Sequence, residues 1–179
     1  GFLGSNVLKE LNHSQIPSKG LGYTKANSSL YIEPLPLYPA NLASSLPPDP
    51  ISQIPPEQII HWIKRPEWGI IESQLENVLS VMKGQKDTFS FFHLAAMARP
   101  HEVEQKPRES FCINVLSTLF LSEWCKKNNI HFLFTSTDLI FDGKAPPYSE
   151  ETQPSPLSLY GIQKQLAEDL VLQTNKKAV

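Results

Sequence analysis

Apolar runs of strand length alternate with helical segments through the second half of this chain. Residues 88–96 (TFSFFHLAA) and 131–137 (HFLFTST) are near-continuous apolar runs of strand length, the pattern of strands buried on both faces. Between them, KPRESFCINVLSTLFLSEWCKKNN predicts one long helix, with Pro107 near its first turn and Lys126 and Lys127 in its last, where cations complement the helix dipole. After the second run, LYGIQKQLAEDLVLQ again carries apolar residues at helical spacing, so a helix is expected from its start to about Thr174. This alternation predicts an α/β fold: a doubly wound parallel sheet of Rossmann type. Ligands of such sheets bind outside the carboxyl ends of the strands.

Chemistry-bearing residues fall at those ends. The first run finishes in small side chains, Ala95 and Ala96, which let a ligand approach, and Met97 and Ala98 begin the loop over it. The second finishes in Thr135, Ser136 and Thr137. Tyr160 and Lys164 lie four apart, so they share one face of the final helix, one turn from each other. A neighbouring ammonium favours a phenolate, and a phenol lowered in this way passes a proton to and from a carbonyl oxygen near neutral pH. A hydroxyl at the end of the preceding strand can bond the same oxygen.

The text around these residues sharpens the expectation. STDLIFDG, then PYSEE, then PSPLSLYGIQKQLAE resembles the extended short-chain dehydrogenase/reductase superfamily, and within it the dTDP-4-dehydrorhamnose reductase branch, which reads STDYVFDG, PYxE and PxNxYGxSKLxGE. The resemblance implies that Thr137 is the active-site hydroxyl, with Ser136 as the fallback, Tyr160 the acid/base, and Lys164 the group that tunes it and holds the nicotinamide ribose. Leu139 replaces a Tyr and Gln163 a Ser of that pattern, and both changes are expected to reshape the pocket floor. HLAA resembles the signature after the fourth strand, which sets Ala95 and Ala96 against the cofactor and makes His93 strand wall, not a base. The preceding helix resembles PxxAxxxNvxGTxxLxxxC. Asn114 takes the place of its asparagine, implying support of the active site and proton relay, while Ser117 stands for its Gly.

At the other end, Gly1 and Gly4 in GFLGSNVLKEL have the spacing of the last two glycines of a GxxGxxG loop, whose helix points its N-terminus at a pyrophosphate. Gly1 then admits the phosphates, Gly4 close helix packing, and Phe2 and Leu3 cover the cofactor. On this reading the first strand precedes Gly1, and a smaller substrate domain follows Val179, so the Rossmann-type domain of 1–179 is truncated at both ends. A short strand is expected over GLGYTK, residues 20–25. It ends in Thr24 and Lys25 without an acidic residue, which leans towards NADP while leaving NAD open.

From Glu33 to Pro56 proline is too frequent for a helix or an inner strand, so an extended surface loop is expected within an insertion over about 27–68. A short helix capped by Pro56 and Glu57 follows, then a helix from Gly69 to Met82 with Ile70, Ile71, Leu75, Val78, Leu79 and Met82 on one side, and Trp62 and Trp68 anchoring the inserted segment. The net charge of -2 carries no basic excess for nucleic acid. No apolar run approaches membrane-spanning length and no signal-like start is seen, which points to a cytoplasmic protein. The five histidines are dispersed without ligand spacing, so no metal is expected. Cys112 and Cys125 would lie about 20 Å apart on one helix, too far for a disulfide, and read as buried thiols.

The function implied is NAD(P)H-dependent reduction of a 4-keto nucleotide sugar, as in dTDP-rhamnose biosynthesis, by an oxidoreductase in which homodimers are possible. The same resemblance extends to the regulatory beta subunit of methionine adenosyltransferase, a non-catalytic NADP-binding partner of a methionine adenosyltransferase catalytic subunit, and to sugar-nucleotide epimerases or dehydratases. Those alternatives stay open at this point.

Overall fold

The structure, a computed structural model, describes residues 36–82 and 89–179, and before them residues 6, 9–11, 13, 14, 20–22 and 31–34. Gly1 to Gly4, Thr24 and Lys25, on which part of the cofactor expectation falls, lie outside the described residues.

Two strands come first, β1 (Gly20–Gly22) and β2 (Tyr31–Pro34). They pair in parallel, as do β3 (Ser90–His93) and β4 (His131–Phe134), which run in register from Ser90 opposite His131 to His93 opposite Phe134. The far edge of β4 is also engaged: Val179 N donates to Phe132 O (3.0 Å) and Phe134 N to Val179 O (2.7 Å), so the chain returns to the sheet alongside β4.

Between β2 and β3 the chain is more ordered than its proline content suggests. The expected extended loop is instead two single-turn helices, α1 (Leu42–Ser45) and α2 (Pro50–Gln53), followed by α3 (Pro56–Trp62), a 3-10 turn (Pro66–Trp68) and α4 (Gly69–Met82). Pro50, Pro56 and Pro66 each begin a helical turn, where a missing N–H costs nothing. Leu42, Leu46, Ile54, Ile59 and Ile63 are buried, so the segment belongs to the core. Trp68 anchors it: the ring stacks on Phe120 at 4.5 Å, and Nε1 donates to Trp62 O. On α4 the buried stripe is Ile71, Leu75 and Leu79, while Ile70, expected inside, faces solvent.

After β3 come α5 (Pro100–Gln105), α6 (Pro107–Phe111), a π turn over Cys112–Leu116 and α7 (Ser117–Lys127). The expected single helix is thus continuous but carries one wide turn, centred on Asn114. Such a turn adds a residue and re-aims neighbouring side chains. It packs over the sheet, with Trp124 edge-on to Phe91. Cys112 and Cys125 are free and buried. The last helix, α8 (Leu159–Thr174), starts where Ser158 accepts the N–H of Gly161 as N-cap. Both strands are shorter than their apolar runs: β3 ends at His93 and β4 at Phe134, leaving Leu94 to Ala98 and Thr135 to Thr137 as loops beyond the carboxyl ends.

Candidate active site

The site begins at β4. Past Phe134 the chain turns outward through Thr135, Ser136 and Thr137 into a 3-10 turn, Asp138–Ile140. Thr137 caps that turn: its hydroxyl accepts from Leu139 N at 3.3 Å and lies 3.2 Å from an Asp138 carboxylate oxygen. The turn rests directly on the first turn of α8. A Cβ built on Gly161 would lie 2.2 Å from Leu139 O, so only glycine allows this approach.

Tyr160 and Lys164 stand on α8 beside this turn, both largely buried. The Lys164 ammonium donates to Thr135 O at 2.5 Å and sits 3.8 Å above the Phe134 ring. Burial lowers its amine to about 8, opposed in part by the Glu168 carboxylate. The phenol departs from expectation. Burial, and secondarily the Asp138 carboxylate, push Tyr160 above its ordinary value, and Lys164 is not among the causes of the shift. The lysine is engaged with a backbone oxygen.

Behind these groups, His93 lies between the Phe132 and Phe134 rings at centroid distances of 5.9 and 6.1 Å. Its Nε2 is 3.0 Å from the Thr118 hydroxyl, whose own proton goes to Asn114 O at 2.9 Å. Thr118 can therefore only accept from the ring, which makes the neutral Nε2–H tautomer the one that fits. Burial, with the Lys164 charge second, holds His93 down to about 3, and the residue is strand wall.

The loop past β3 exposes Ala96 and half-buries Ala95. It is fastened by Asn114, whose side chain accepts from Met97 N (2.9 Å) and donates to Met97 O (3.1 Å). Gln163, expected on the pocket floor, is instead completely buried between helices and touches Asn114 and Ser110. Leu139 does line a surface concavity of about 420 Å³, together with Phe141, Tyr148 and Leu157. Its rim is stiffened by Tyr148, which stacks on Phe141 and donates to an Asp142 carboxylate oxygen. Ser136 and Thr137 thus follow the end of β4, where the Lys164 ammonium meets Thr135 O; Ala95 and Ala96 follow the end of β3, in the loop that Asn114 fastens at Met97; and Tyr160 lies in the first turn of α8. Gly161 and Gln163 were not expected in these roles. The clue to Gly161 was its place in YGIQK at a helix start, where a glycine has to be explained by a close neighbour.

Parallel strand pairs alternating with helices define an α/β domain of the doubly wound, Rossmann type. Residues 58–179, more than half of the chain, match the family described as RmlD substrate binding domain, and the chain belongs to that family. It is 38% identical over 86 residues to methionine adenosyltransferase 2 subunit beta of Xenopus laevis, a match covering 48% of this chain and 26% of that protein. It is 35% identical over 83 residues to dTDP-4-dehydrorhamnose reductase of Sinorhizobium fredii, covering 46% and 28%. These matches span about a quarter of the relatives' length. Among solved structures, MoeE5 in complex with UDP-glucuronic acid and NAD superposes on 97% of this chain and 46% of its own with a TM-score of 0.62, at 22% identity, which shows the shared fold.

Proposed function

We propose that the protein is an NAD(P)H-dependent reductase of the dTDP-4-dehydrorhamnose reductase type, acting on the 4-keto group of a nucleotide sugar. The reading is supported by the packing of the first turn of α8, which carries Tyr160 and leads to Lys164, against the turn after β4 that Thr137 caps, with the Lys164 ammonium on Thr135 O and Gly161 against Leu139 O; in a doubly wound sheet ligands bind at such a strand end. Residues 27–68 are, on the same reading, an insertion into the nucleotide-binding domain.

The residues present fit a dinucleotide. Ala95 and Ala96 keep the end of β3 free of bulk, Asn114 satisfies the Met97 backbone so that this loop can lie against a ligand, and Lys164 and Ser136 would hold the nicotinamide side. Gly1, Phe2, Leu3, Gly4 and Lys25 complete the cofactor set, with NADP favoured over NAD. When bound, the reduced nicotinamide supplies a hydride to the sugar carbonyl carbon. Thr137 orients the carbonyl oxygen by a hydrogen bond. Tyr160 gives its proton to the alkoxide that develops there, and a phenol held above its ordinary value is in the protonated form this direction needs. Lys164 adds positive charge beside the anionic product state below its own midpoint of about 8.

A second reading has its own support: the curated relatives include several beta subunits of methionine adenosyltransferase 2. In that reading the same fold binds NADP and serves as a regulatory partner of a catalytic subunit. Consumption of NADPH or NADH by the complete protein with a dTDP-4-keto-6-deoxysugar, lost in Tyr160→Phe while cofactor binding survives, supports the reductase. Cofactor binding without consumption, together with co-purification of a methionine adenosyltransferase, supports the regulatory subunit.

A further inference from the structure

Gln163 is the most deeply buried polar side chain of α8, next to Lys164, and both ends of its carboxamide are used. Its Oε1 accepts from Asn114 Nδ2 at 2.8 Å, and its Nε2 donates to Ser110 Oγ at 2.9 Å. The orientation of this amide is dictated from outside. Ser110 Oγ donates its one proton to Pro107 O at 3.1 Å, so towards Gln163 it can only accept. Gln163 must therefore turn its N–H to Ser110 and its oxygen to Asn114.

That choice propagates. With an acceptor facing it, the Asn114 amide turns its nitrogen towards Gln163, where it also donates to Met97 O, and leaves Oδ1 for Met97 N. The opposite flip would set Asn114 Oδ1 against two oxygens and Nδ2 against an N–H. Pro107 O, Ser110, Gln163, Asn114 and the Met97 backbone thus form one directed chain from α6 to the loop past β3. Ser110 and Gln163 occupy the alanine of the PxxAxxxN pattern and the serine before the lysine, so the two departures are partners: one supplies the acceptor that the other needs.

We propose that Gln163 is a positioning residue for dinucleotide binding, which orients Asn114 and through it fixes the Leu94 to Ala98 loop relative to the helix bearing Tyr160 and Lys164. The proposal rests on the dinucleotide-binding reading given above. It acts on binding geometry, without touching substrate or cofactor.

The test compares wild type, Gln163→Met, which keeps length and volume but neither polar end, and the milder Ser110→Ala, which removes the hydroxyl that accepts from Gln163 and donates to Pro107 O. Two readouts are taken: amide hydrogen exchange at Met97 in cofactor-free protein, with Leu119 in α7 as internal control, and dissociation constants for NADPH and NADH from fluorescence titration. Losing a buried hydrogen bond of this kind corresponds to about tenfold. The expected result is Met97 exchange about tenfold faster with Leu119 unchanged, cofactor binding weakened about tenfold, and a smaller effect of the same sign in Ser110→Ala. Equal acceleration at Met97 and Leu119 with unaltered affinity marks a purely structural residue and overturns the proposal. Faster Met97 exchange with unaltered affinity overturns it as well. A wild-type protein that binds neither dinucleotide overturns the functional reading beneath it.

Discussion

Replacing His93 with Phe should remove a pH dependence of stability that the fold builds into β3. The imidazole is neutral, 3% exposed, and held down to about 3 from an ordinary 6.5. The unfolded chain takes up a proton near pH 6.5, the folded one only near 3. Between those values the unfolded state binds more protons, so this stabilisation is present above pH 6.5 and drains away as pH falls. From these two values, the loss between pH 7 and pH 5 is about 2 kcal/mol, large beside a domain stability of ~5–15 kcal/mol. His93→Phe keeps a ring between Phe132 and Phe134, and Thr118 keeps its bond to Asn114 O, so the variant forfeits one hydrogen bond, about 1 kcal/mol at pH 7. Urea unfolding at pH 7 and pH 5 measures both proteins. Carboxylates titrate alike in each, so the difference between their declines isolates the imidazole: wild type should lose about 2 kcal/mol more than the variant. Equal declines would refute a neutral, desolvated His93.

Gly161→Ala should displace the turn that carries Thr137, because the added carbon would lie 2.2 Å from Leu139 O. Overpacking outweighs the gain in helix propensity, giving a net loss of about 1–2 kcal/mol in denaturant melts, with turnover falling further than stability; a stabilised variant would contradict the close approach. Trp68→Ala should cost about 3–5 kcal/mol, since the ring is buried against Phe120 and the proline-rich segment is core; an effect within ~0.5 kcal/mol would return that segment to the surface.

The helices were legible where periodicity was strong. Gly69–Met82 and Leu159–Thr174 form over the spans their apolar repeats indicate, because burying such a stripe decides the conformation. Strand ends were not, since apolar and small residues continue past the last ladder bond into a loop, as at Leu94 to Ala98, and hydropathy does not mark where the ladder stops. The segment after Glu33 misled because prolines exclude helix interiors but suit first turns, and three of them open turns here. His93 as strand wall could be read from its place inside an apolar run. The hydrogen-bond directions could not. Gln163 meets partners 49 and 53 residues away, and Lys164 meets a backbone oxygen, neither of which leaves any mark in local sequence. The raised Tyr160 phenol has the same origin: its environment is set by burial and Asp138, which the four-residue spacing to Lys164 does not reveal.

On the proposed reading, a hydride moves onto a sugar carbonyl with Tyr160 as proton donor. The most direct measurement gives the complete protein NADPH or NADH deuterated at the transferable C4 position with a dTDP-4-keto-6-deoxysugar, and reads the product by mass spectrometry and NMR. Wild type should place deuterium on the sugar C4 carbon, and Tyr160→Phe none above background. Cofactor that binds but leaves its deuterium in place would contradict the reductase and give the fold a regulatory role.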